Sequence, residues 1–282
     1  MAACASPPRR PSWRRRRTLS TPRVRVGVGG WTFEPWRNNF YPAGWSKDRE
    51  LEYASRKLTM IEINGTYYAT QKPATFAKWR SETPDDFVFS VKAHRLTTNR
   101  RVLAEAGESV SFFCASGIAE LGPKLGPIVW QFAPTKRFDA ADFEAFLKLL
   151  PKEAAGVPLQ HALDVRHESF RCPEYLALAR RYGAVNVFTE SDEYPAFADL
   201  TGDFVYARVM RAEASEPEGL SAAAAAQVAA CAHAWRDGGE PEGLPRVEAP
   251  GVPGAPRNVY LLFIAAAKEK NPAAAMALLR LL

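Results

Sequence analysis

The segment MIEINGTYYAT, Met60 to Thr70, places Glu62 and Asn64 among Ile61 and Ile63. In an extended strand alternate side chains point to opposite faces, so the acid and the amide share one face and the isoleucines the other. A carboxylate turned unpaired into an apolar interior is expensive. Its face must therefore be wet or furnished with cations. The same alternation in other apolar runs supplies those cations. In FVFSVKAH, Phe87, Phe89 and Val91 share one face, and Ser90, Lys92 and His94 the other. GPIVWQF sets Gln131 opposite Trp130 and Phe132. QHALDVRH sets Ala162, Asp164 and Arg166 opposite Leu163 and Val165, and FVYARVM sets Tyr206 and Arg208 opposite Val205, Ala207 and Val209. Two acids face three bases, an excess of positive charge that suits a phosphate- or carboxylate-bearing ligand, because arginine binds such groups with two parallel hydrogen bonds.

Roles follow from side-chain chemistry. Glu62 or Asp164 is expected to act as general base, tuned by the neighbouring cations. Lys92 is expected to supply electrostatic stabilisation or, if desolvated, a Schiff-base amine. Arg166 and Arg208 are expected to clamp the anion, with Asn64, Gln131, His94, Trp31 and Tyr67 completing the binding set. Of the other histidines, His161 alternates onto the opposite face of its strand and His233 lies in an alanine-rich helix, so both are expected to be structural; His167 follows Arg166 in a loop. No tight ligand spacing appears among the carboxylates and histidines, and no metal or cofactor is expected. A nucleophile elbow, a phosphate-binding P-loop and a kinase signature are absent.

These residues need elements to hold them. Eight β-rich runs, VRVGVGG, TMIEING, FVFSVKAH, GPIVWQF, LQHALDV, AVNVFTE, FVYARVM and NVYLLFIA, alternate with helical patterns such as SKDRELEYASRKL, PATFAKWRSE, AADFEAFLKLL and CPEYLALARRYG. A final helix is expected in PAAAMALLRLL, and the link from Ser191 to Asp203 reads as loop. This rhythm over residues 24–282 predicts an α/β fold, a single (β/α)8 TIM-type barrel, whose inward-facing residues meet ligands at the C-terminal strand ends. GVGGW lacks the spacing of a dinucleotide-binding turn. A Pro/Gly-rich stretch, residues 237–256, precedes the last strand and is long enough to cover the mouth as a lid.

The 282 residues are 47% apolar, enough for a substantial core. The net charge of +6 is concentrated at one end. Residues 1–23 hold seven arginines and no acid; without them 30 Lys+Arg face 31 Asp+Glu, a net −1. This Pro/Ser/Arg-rich tail is expected to be disordered and is the one part suited to nucleic acid. Four scattered cysteines argue against a disulfide scaffold and fit the cytoplasm. No apolar run reaches the roughly 20 residues of a membrane span.

Taken in order, VGVGGWTFEPWRNNFYP, IEINGTYY, KWRSETPDDFVFSVKAHRLTTNRR, LGPKLGPIVWQF and LDVRHESF resemble the domain-of-unknown-function 72 family, also called YecE-like. The resemblance runs from Val24 to Met210 and more loosely beyond. It implies a TIM-type barrel and supplies no reaction. Departures touch chemistry: Thr98 and Asn99 stand where the family usually has Thr-His, and Arg208 is followed by VMRA rather than x-His-Gly. The end of the last strand reads FIAAAKEKNP, and Asp164 stands where glutamate is common. The chain is thus expected to be an enzyme acting on an anionic small molecule, with a non-catalytic ligand sensor or a nucleic-acid-associated protein as alternatives.

Overall fold

In a computed structural model, residues 23–37 and 39–282 are described. Most of the arginine-rich tail, whose disorder the composition predicts, lies outside them. Eight strands close a parallel barrel: β1 (Val24–Gly29), β2 (Met60–Ile63), β3 (Val88–Lys92), β4 (Leu125–Gln131), β5 (His161–Asp164), β6 (Val185–Glu190), β7 (Phe204–Val209) and β8 (Asn258–Phe263). Each strand pairs with its sequence neighbours and β1 pairs with β8, so no edge is left open.

Seven helices of eight or more residues surround the barrel: α1 (Glu50–Lys57), α2 (Pro73–Glu82), α3 (Gly107–Ala115), α4 (Ala140–Leu149), α5 (Pro173–Tyr182), α6 (Ala222–Arg236) and α7 (Asn271–Leu279). Their ends use ordinary chemistry. Asp139 and Ser221 accept a backbone N–H in the first turn of α4 and α6, and Gly183 ends α5 in the left-handed conformation. No helix follows β6, as expected for residues 191–203. The 237–256 segment packs against that helix-free connection: the buried Asp199 carboxylate accepts the Val247 and Glu248 N–H groups, both at 2.9 Å.

Two apolar assemblies result. Strand faces carrying Ile61, Phe89, Trp130, Leu163 and Leu261 bury against the helices. Inside the barrel Met60, Val88, Val129, Ala162, Val185, Val187, Phe204, Tyr206, Tyr260 and Leu262 form a second, smaller core. The alternation read from sequence thus assigns the correct faces. Glycine is required where β1 meets β2, since a Cβ on Gly27 would stand 1.9 Å from the Met60 carbonyl oxygen. No helix among the described residues is long and apolar enough to cross a membrane.

A candidate active site at the C-terminal mouth of the barrel

Above the inner apolar core, six of the eight strands, β2 to β7, turn polar at a similar height, whereas β1 ends in Gly29 and Ile264 after β8 stays apolar. Register places Glu62 beside Ser90, Gln131 beside Asp164 and Thr189 beside Arg208. Arg208 is the centre, buried to 0% exposure. Its Nη2 donates to both Glu62 oxygens at 2.7 and 2.6 Å, and its Nη1 donates to Asp164 Oδ2 at 2.6 Å and weakly to Gln131 Oε1 at 3.5 Å. The Tyr206 hydroxyl donates to Glu62 Oε2 at 2.7 Å and stands 2.8 Å from the Ser90 hydroxyl. Arg166 reaches back to Asp164 Oδ2 with Nε and Nη2, at 3.2 and 3.1 Å.

Burial alone would raise both carboxyl pKa values. The charge of Arg208, reinforced by Lys92 for Glu62 and by Arg166 and Lys92 for Asp164, outweighs it and holds both acids below their ordinary range. Both acids are therefore ionised at neutral pH. Burial pushes the Tyr206 hydroxyl well up, and the Glu62 charge adds to it. Buried polar atoms without a partner among the described residues include Asp164 Oδ1, Thr189 Oγ1 and Arg208 Nε. All three belong to this same layer, where such atoms are tolerated when a site uses them.

Lys92 ends β3, and its ammonium lies over the Tyr67 ring, 4.8 Å from the centroid. Tyr67 sits in the single helical turn Gly65–Tyr68 that follows β2, and its hydroxyl accepts from Asn99 Nδ2 at 3.3 Å. Thr66 ties the two strand ends together, donating to the Lys92 carbonyl at 2.7 Å. Burial, then repulsion from Arg208, lowers the Lys92 pKa to about 8 although Glu62 and Asp164 pull it upward. Two strands further round the barrel, Arg166 stacks over the Tyr194 ring at 4.4 Å. It forms one wall of a cleft of about 470 Å³ that His167, Glu168, Tyr194 and Pro245 also line. Pro245 comes from the 237–256 segment, which therefore walls this cleft from the side.

The structure brings together Glu62, Lys92, Gln131, Asp164, Arg166 and Arg208, with Tyr67 beneath Lys92. Asn64 stands at the mouth beside Gly29, where a Cβ would come within 2.7 Å of its Nδ2. Two expectations are corrected. Arg208 is no ligand clamp, since carboxylates already occupy it and no surface of it is open. His94 does not join the inner ring, because β3 stops at Lys92 and alternation ends with it. Its Nδ1 accepts the Leu96 N–H at 3.2 Å, and its ring borders a separate cleft with Leu96 and Phe112. Trp31 packs edge-on against Trp79 of α2, centroids 5.1 Å apart.

Thr189 and Tyr194 were not anticipated. Alternation through AVNVFTE points Thr189 inward and would have found it. Tyr194 lies in an irregular loop, which has no period to read. Among the described residues no group of three or more His, Cys, Asp or Glu side chains is gathered closely enough to hold a metal ion.

Comparison with known proteins places this geometry. The UPF0759 protein YunF of Bacillus subtilis is 26% identical over 159 residues, 54% of each chain. The UPF0759 protein YecE of Escherichia coli K12 is 30% identical over 123 residues, 43% of this chain and 42% of that one. The chain thus spans about half the length of the curated relatives it matches. Among solved structures, a DUF72 family protein of Thermotoga maritima superposes with a TM-score of 0.65 at 21% identity, covering 91% of this chain and 96% of that one. SacUVDE superposes with a TM-score of 0.53 at 11% identity, covering 92% and 98%. At such identities these two likenesses show the fold alone. The model for the family described as "Protein of unknown function DUF72" matches residues 25–282, and the chain belongs to that family.

Proposed function

We propose that this barrel is an enzyme acting on a small molecule that carries a phosphate or carboxylate, bound at the C-terminal mouth with its anionic group against Arg166. One observation carries the reading. Glu62 and Asp164 are already met by the guanidiniums of Arg208 and Arg166, so Lys92 stands over the network as an unmatched positive charge. An anion entering the mouth would balance it. Arg166, whose side chain keeps 12% exposure, bridges the buried network and the cleft, and its Nη1 makes no hydrogen bond to a described residue. Asp164 keeps one carboxylate oxygen unpartnered, which suits it to the role of general base. Cys114, Cys172 and Cys231 are free thiols, which supports placing the protein in the reducing cytoplasm.

The test is a thermal-shift screen of the full chain against phosphorylated metabolites, carboxylates and uncharged polyols of similar size. One anionic class should raise the melting temperature, since a ligand that binds only the folded state stabilises it. Arg166→Ala should weaken that response about tenfold, the size of a lost charge-assisted hydrogen-bond pair. If anions act no better than polyols, or Arg166→Ala responds like the parent, the reading fails.

A further inference from the structure

The mouth holds four interlocked charges and a fifth that stands apart. Arg208 and Arg166 neutralise Glu62 and Asp164, and Tyr206 takes a further position on Glu62. The Lys92 ammonium makes no hydrogen bond or ion pair with a described residue; its contact is the face of Tyr67. That contact favours the ammonium, but it is no counter-ion, and burial works against the charge. The backbone beneath the amine is fixed. The Lys92 carbonyl accepts Thr66 Oγ1 at 2.7 Å, and the next N–H, from Ala93, donates to the Val129 carbonyl at 2.9 Å. The result is an anchored amine at the strand end, with no hydrogen-bond or ion-pair partner for its proton, and such an amine is a nucleophile.

We infer that Lys92 is a Schiff-base lysine that condenses with the carbonyl group of an anionic oxo compound, an oxo acid or a phosphorylated aldehyde or ketone, whose anionic end rests on Arg166. This rests on the reading of the mouth as an anion-binding enzyme site. Neutral Nζ attacks the carbonyl carbon, the C–N bond forms, and the C=O π pair moves to oxygen, giving a carbinolamine. The nitrogen lone pair then forms C=N as the C–O bond breaks. The oxygen leaves as water with the two hydrogens that the amine brought, so no oxidant or reductant is consumed. Both oxygens of Glu62 are occupied, whereas Asp164 Oδ1 has no partner, so the proton relay falls to Asp164.

The test is borohydride trapping. The full chain is incubated with pyruvate, glyoxylate or dihydroxyacetone phosphate, reduced with sodium borohydride, and mapped by peptide mass spectrometry, with acetone as the uncharged comparator. The expected result is one reduced adduct per chain on the Lys92 peptide, with roughly tenfold or greater preference over exposed lysines such as Lys78 and Lys148. It should be weaker with acetone and absent in Lys92→Arg. Mapping on the parent chain decides the matter even if that variant misfolds. Label spread over exposed lysines with none on Lys92, for all three anionic probes, overturns the inference. Separate outcomes distinguish it from the broader reading. An Arg166-dependent anion shift with Lys92 unlabelled removes the imine and keeps the anion site. A Lys92 adduct as fast with acetone as with the anionic probes, and unaffected by Arg166→Ala, keeps the imine and removes the anion site.

Discussion

Two storeys of the same barrel interior differ by a single inward-facing step along six of the eight strands. Met60 gives way to Glu62, Val88 to Ser90, Val129 to Gln131, Ala162 to Asp164, Val187 to Thr189 and Tyr206 to Arg208. All these positions point inward and most are buried, so burial does not separate them. What separates them is height. The lower storey is the inner core, where apolar contact lowers the free energy of folding at about 25 cal/mol per Å² removed from water. The upper storey replaces that gain with charges whose desolvation roughly cancels their attraction, a poor choice for stability. A barrel that needed only to fold would carry the lower pattern upward. Charges at the C-terminal strand ends are the feature on which the proposed anion site rests.

The largest expected effect is on the upper storey. Arg208→Met leaves the Glu62 and Asp164 carboxylates buried without their main cation, and should destabilise the fold by about 3–5 kcal/mol in urea unfolding. Adding Glu62→Gln and Asp164→Asn to it should recover much of that loss, because the uncompensated charges are then gone. A single variant that costs less than about 1 kcal/mol would show that water reaches the network, and the contrast between storeys would weaken. In the lower storey, Leu262→Ala removes buried methyl groups and should cost about 2–4 kcal/mol. Its melting-temperature response to an anion should match that of the parent. A lost response would mean that the two storeys are mechanically one.

Alternation sorted the inward side chains from those that meet the helices, because period two is a property of neighbouring residues. It could not say which cation meets which acid. Arg208 is 146 residues from Glu62 and 44 from Asp164, and the closed strand order brings them together. Sequence therefore presents Arg208 and Arg166 as equivalent clamps, whereas the barrel buries one and leaves the other at the rim. His94 was misplaced for a different reason: the pleat ends at Lys92, and a backbone turn at Arg95–Thr97 takes the next side chains out of register. α3 went unrecognised because GESVSFFCA mixes apolar and small residues around most of its circumference and shows little helical period.

The smallest effect isolates Lys92 by its pH dependence. Its folded pKa lies near 8 against an ordinary 10.5, so between those values the unfolded chain binds the extra proton and the folded chain does not. Stability then rises with pH across that window, by the linkage relation. Below pH 8 both states are protonated and the full cost of burying the ammonium is present. The shift corresponds to about 1–3 kcal/mol once the partial exposure of the amine is allowed for. Other groups act in the same range with the opposite sign. Tyr175 and Tyr206 are held protonated by burial, so the unfolded state loses their protons first and stability falls as pH passes 10. Lys92→Met keeps both tyrosines, so the difference between the parent and this variant reports the lysine alone. That difference should favour the variant below pH 8 and shrink steadily toward pH 10.5. A difference that is flat with pH would mean that Lys92 keeps an ordinary affinity for its proton, held by a counter-charge or by water, and the amine would then be no readier a nucleophile than one on the surface.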